Sequence, residues 1–159
     1  MPVLMPSLAE LAVSIALDEA RSGVFENAND NRGPRVDIYA QGANGVLGEA
    51  WCVKFVYWCF SRAAAKMMVT NPMPKIFAAK QLEIWGQRNG KMAKAPDAGD
   101  ILIKDHHHAG LVMGPAIANG TFPSVEGNTW AGTTFEKRRE GVYVLKNERL
   151  ASCSFIRLA

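Results

Sequence analysis

The chain has little of what would set it apart from ordinary globular proteins, and each scarcity excludes something. In its 159 residues no apolar stretch approaches the roughly 18 to 20 uncharged positions needed to cross a bilayer, so no integral membrane segment is expected. Surplus charge is small: 18 Lys and Arg against 15 Asp and Glu leave +3, too little to indicate a nucleic-acid partner. The basic run Lys137-Arg138-Arg139 reads as a solvated surface cluster. The three cysteines, Cys52, Cys59 and Cys153, are odd in number and lack two-residue spacing, which argues against a disulfide framework and a zinc knuckle. At least one thiol is therefore unpaired. Met1 to Pro6 has no basic residue before its short apolar run and no small-residue cleavage site after it. The chain is expected to be made in the cytoplasm without a signal peptide, and any action outside requires release by lysis or a dedicated secretion system.

What is present is 48% apolar residues and 21% charged, with no linker or internal repeat that would divide residues 1–159. One domain of this size buries about 70% of its unfolded surface without disulfide staples, and it is expected to act as a monomer. Ser7 with Glu10 matches a capping box, and Leu8, Leu11, Ala12, Ile15 and Ala16 repeat at helical spacing, so the pattern predicts a helix over 8–22 stopped by Gly23. Residues 26–34 read as a polar loop, followed by a short helical turn over Val36–Ala40. The run WCVKFVYWCF at 51–60, continuing to Lys66, predicts a central buried helix. A second amphipathic helix is expected over 76–85, ended by Gly86 or Gly90. Short alternating segments follow at 101–104, 108–113, 121–126, 141–146 and 154–158, a small antiparallel sheet of about five or six strands. Helices first and strands afterwards make an α+β layout.

Cys52 falls in the first turn of the central helix, where unsatisfied amides and the helix dipole favour a thiolate. Cys59 lies seven residues on, about 10 Å along the axis, too far for a disulfide, and reads as a small core residue. A thiol nucleophile needs a base, and the only histidines are His106, His107 and His108. Asp105 to His107 form the expected hairpin tip, while His108 opens a strand and has a fixed direction. Gly110 faces the same side and leaves open space beside the imidazole. A metal site is the rival reading of the three histidines; strand neighbours alternate faces and no Cys lies near, which weighs against it. Glu126 and Asn128 stand two apart at a strand end and can face one side, and either could accept from the imidazole N–H.

Together, Gly48 to Val56 (GEAWCVKFV), Ala95 to Ile101 (APDAGDI), His108 to Val112 (HAGLV) and Val125 to Thr129 (VEGNT) resemble a CHAP domain, the cysteine, histidine-dependent amidohydrolase/peptidase family. The resemblance spans roughly residues 8–158. It implies a papain-like α+β fold and hydrolysis of amide bonds in bacterial peptidoglycan, either muramoyl-alanine amidase or peptide endopeptidase. It also implies Cys52 as nucleophile, His108 as general base, and Glu126 with Asn128 completing the polar set. Asn31 to Asp37 (NRGPRVD) is similar to a segment before the Cys in one branch that includes phage and bacterial lytic enzymes. Where the family commonly has Pro-Gly-Asp, this chain has Ala98-Gly99-Asp100, which keeps the turn's glycine.

No cofactor is expected to be required. Some members carry an acidic calcium loop; here Glu26, Asp30 and Asp37 could supply oxygens, but their spacing matches no EF-hand. Arg32 could pair with a stem-peptide carboxylate or serve the loop's structure. Of Trp51, Trp58, Trp85 and Trp130, the substrate-binding candidates are Trp51 and Trp130, the latter best placed beside the EGN segment. One module accounts for the chain, leaving no separate wall-binding domain. Two other readings stay open: a non-catalytic wall- or peptide-binding module on the same fold, and a cysteine protease or acyltransferase acting on another substrate.

Overall fold

A computed structural model describes residues 2–130 and 139–158. The capping box is formed as the sequence reading places it: the Glu10 amide donates to Ser7 Oγ (3.1 Å) and the Ser7 amide to Glu10 Oε2 (2.8 Å), starting α1, Leu8–Ser22. Gly23, at φ +79°, closes it in a conformation that suits glycine. Helix α2, Pro34–Gly42, is longer than the expected turn, because the fixed φ of Pro34 suits a first helical position as well as a loop. Helix α3, Cys52–Met67, is the central element, with Val53, Phe55, Val56, Cys59, Phe60 and Ala63 fully buried. Helix α4, Ala79–Arg88, begins later than expected and runs through Gly86. A Cβ there would press on Met92 Sδ at 2.9 Å and Ile156 Cγ1 at 3.1 Å, so this glycine serves close packing within the helix.

The strands are β1 (Met92–Ala93), β2 (Ile101–Lys104), β3 (His108–Val112), β4 (Thr121–Thr129), β5 (Gly141–Arg149) and β6 (Cys153–Ile156). They form one sheet in the order β1-β6-β2-β3-β4-β5, with every pairing antiparallel. The architecture is therefore α+β, with four α-helices and a six-stranded sheet among the described residues. Alternation divides the sheet's residues between two cores. Ile101, Ile103, Leu111 and Val125 join the main core with the helices, while Leu102, Val112, Phe122 and Phe155 make a second cluster, its two rings edge-on at 5.3 Å. Among the described residues no helix is long and apolar enough to cross a membrane.

Candidate active site

Packing fixes where the thiol stands. Helix α3 buries nearly all its sides, so its first residue, Cys52, is held at 7% exposure against the start of β3. Burial alone would push the thiol up, but the hydrogen bond and charge of His108, with the Ala109 and Val53 amides, outweigh it and hold Cys52 below a free thiol. The other two cysteines are opposite in character. Burial drives Cys59 well up, and burial together with Glu148 and Glu126 pushes Cys153 up to about 12.

His108 is the first residue of β3, as the hairpin reading expects, with Asp105 to His107 as the connection. Its Nε2–H donates to Glu126 Oε1 at 2.7 Å, which leaves Nδ1 for the thiol. Burial disfavours the imidazolium, but hydrogen bonds to Cys52 and Glu126 and their negative charges prevail and raise His108 to about 10. Each of the two thus favours the charged form of the other, thiolate at Cys52 and imidazolium at His108. Glu126, 1% exposed, has its second oxygen engaged by Ser124 Oγ at 2.5 Å. Gly110 serves this pair differently from the sequence reading: the space beside it is filled, since a Cβ at 110 would overlap the Glu126 side chain.

Two groups behind the pair have no counterpart in the sequence reading. Lys104 stands opposite His108 in the β2–β3 register and reaches Glu148 Oε1 at 3.1 Å. Glu148 is 6% exposed, and its Oε2 has no hydrogen-bond partner among the described residues. Burial and the neighbouring Glu126 push the Glu148 carboxyl up. Alternation in β5 gives no signal for Glu148, since Val144 and Lys146 at the same parity are exposed, and nothing pairs it with Lys104 from sequence.

Asn128 does not face the imidazole. The β4–β5 register shifts between Glu126 and Thr129, and Asn128 takes φ +58°, so the period-two expectation fails across the bulge. Its Oδ1 instead accepts the Trp51 amide at 2.8 Å, fastening the start of α3, while its Nδ2 approaches Glu26 Oε1 and Asn31 Oδ1, each at 3.3 Å. Trp51 is a correction to the substrate-binding expectation: it is fully buried, stacked on Tyr39, and its indole N–H donates to Glu26 Oε1 at 2.8 Å. Trp58 and Trp85 pack against the core. Trp130 is 46% exposed just beyond β4 and is not among the described residues lining the Cys52 cavity.

Arg32 is exposed and paired within its own loop, with Nε and Nη2 both 2.9 Å from the Asp37 carboxylate, and it is not among the described residues lining the Cys52 cavity. The three carboxylates considered for calcium diverge: Asp37 holds Arg32, Asp30 accepts the Arg32 amide, and Glu26 is fully buried on Trp51 and the Asn31 amide. Each carboxylate thus has its own partner around this loop, and among the described residues no three His, Cys, Asp or Glu side chains form a metal-holding group. Lys137 and Arg138 of the basic cluster lie outside the described residues. Arg139 sits over the Phe25 ring at 4.9 Å and donates to the Glu26 carbonyl, which makes it part of the loop's anchoring.

A cavity of about 340 Å³ opens beside Cys52, lined among others by Glu49, Phe77, Lys80, His106 and His107. The site thus offers a nucleophile, a proton carrier, a carboxylate that orients it, and room for a substrate against the thiol. Comparison with family models, with curated proteins and with solved structures returns no match.

Proposed function

We propose that the chain is a cysteine-dependent amidohydrolase of CHAP type, on a papain-like fold, that hydrolyses amide bonds of bacterial peptidoglycan. One observation carries the chemistry: Cys52 at the start of a buried helix, His108 and Glu126 form a single hydrogen-bonded line with the thiol at one end. The wall substrate rests on the GEAWC, HAGLV and VEGNT motifs, whose Cys, His and Glu are the groups so aligned.

In this mechanism Cys52 Sγ attacks the scissile carbonyl carbon, forming a C–S bond, and the developing oxyanion meets the Cys52 amide at the helix start. As the C–N bond breaks, His108 gives its Nδ1 proton to the leaving amine. The neutral imidazole then takes a proton from water, whose oxygen displaces the thiolate and releases the carboxylic acid. Glu126 holds the ring by Nε2 and stabilises its charged form throughout. The test is incubation of purified peptidoglycan with wild type and Cys52→Ala, followed by mass analysis of released fragments. Wild type is expected to release amide-cleaved fragments and Cys52→Ala none; equal release by both would refute the mechanism.

A further inference from the structure

Resting on that hydrolytic reading, we propose that the α4 side of the Cys52 cleft is a carboxylate subsite, in which Lys80 and His106 receive a free carboxylate of an acidic muropeptide. The 340 Å³ cavity falls within the range of small-molecule sites, and Cys52, Lys80, His106 and His107 all line it. Phe77 adds an apolar surface to the same lining.

The charges facing this space favour an anion. Lys80, in the first turn of α4, has no ion pair or hydrogen bond among the described residues. Glu49 also lines the cavity, but Lys54 Nζ stands 3.0 Å from its Oε2 and balances its charge. Lys54 itself is buried and further fixed on the Val46 carbonyl at 2.8 Å, so this compensation is built in.

His106 is held in place for the role. Its Nδ1 lies 2.6 Å from Oε1 of Glu83, a carboxylate only 7% exposed, while Glu83 Oε2 accepts Ser154 Oγ. A carboxylate acceptor puts one ring proton on Nδ1, and Nε2, turned away from Glu83 on a ring that is 68% exposed, donates to a ligand carboxylate when it also carries a proton. Asp105 and His106 both adopt left-handed backbone, at φ +50° and +62°, which carries the ring back over α4. The arrangement repeats around His106 the hydroxyl–carboxylate–imidazole order that orients His108. Arg32 is paired with Asp37 and is not among the residues lining this cavity, so Lys80 supplies the cation beside the nucleophile and His106 a second polar contact for a substrate carboxylate.

The experiment compares two probes that differ only at their carboxyl groups, N-acetylmuramoyl-L-alanyl-D-glutamic acid and its diamide, carboxylates against carboxamides. Their binding is measured calorimetrically on the full chain carrying Cys52→Ala. The acid is expected to bind about tenfold more tightly, and adding Lys80→Met or His106→Gln is expected to bring the two affinities together. No binding of the acid, equal affinities in the Cys52→Ala protein, or a preference that survives either added substitution overturns the subsite. The two proposals fail separately. A protein that digests peptidoglycan but treats the probes alike loses only the subsite, whereas one that discriminates between them but releases no fragments loses only the hydrolase reading.

Discussion

At Cys52 two effects of burial oppose each other. A dry environment resists the thiolate, yet the same burial strengthens the hydrogen bond and charge of His108, and the second effect prevails. His108 mirrors this, raised from an ordinary 6.5 to about 10. The sign follows directly. The proton His108 holds contributes stability fully below about 6.5, and that contribution is lost as pH rises through about 10. The same ionisation removes the acid that protonates the leaving amine, so kcat/KM is expected to fall on the alkaline side near 10. Glu126→Gln removes the charge that sustains the imidazolium and should move this alkaline limb down by about one pH unit or more, read from rate profiles of wild type and variant. An unmoved limb would show that Glu126 does not tune His108.

Among the elements, legibility follows how local the determining physics is. Helix α1 was readable because its cap and apolar face lie within fifteen residues, and α3 because its apolar run is continuous. The β2–β3 hairpin was readable because a short apolar strand on each side brackets the Asp-His tip. Strand β1, two residues long, carries no pattern and exists only through its pairing with β6. Gly86 looked like a helix end because its packing partners, Met92 and Ile156, come from other elements. The bulge in β4 had no sequence signal beyond the Gly-Asn pair, and it redirects Asn128 from the imidazole to the Trp51 amide. Asn128→Gly tolerates the left-handed backbone but removes the acceptor, and is expected to lower unfolding free energy by about 1 to 3 kcal/mol in chemical denaturation. Wild-type stability in Asn128→Gly would contradict the anchoring role.

Across the molecule, the site is assembled from parts that sequence separates widely. The loop at 26–33, which composition alone marks as solvated, folds its Glu26 fully inward onto Trp51 and Asn128, while Phe25 bridges to Gly141. A Cβ at Gly141 would overlap the Val24 carbonyl, so this closure depends on a glycine more than a hundred residues away. Burial also decides Trp51, whose chemistry suits a substrate but whose partner Glu26 lies inside the protein, while Arg32 is exposed and paired with Asp37 of its own loop. The alignment of Cys52, His108 and Glu126 was legible because each residue sits at an element's start or strand position with its own local signal. The central claim, that one activated thiol does the chemistry, is tested most directly by alkylation coupled to activity. Wild-type protein is exposed briefly to iodoacetamide at pH 6, mapped by mass spectrometry, and assayed on peptidoglycan in the same samples. The account predicts label on Cys52 with Cys59 and Cys153 unmodified, and activity lost in proportion to that label. Activity retained after Cys52 is fully labelled, or equal labelling of Cys52 and Cys153, would contradict it.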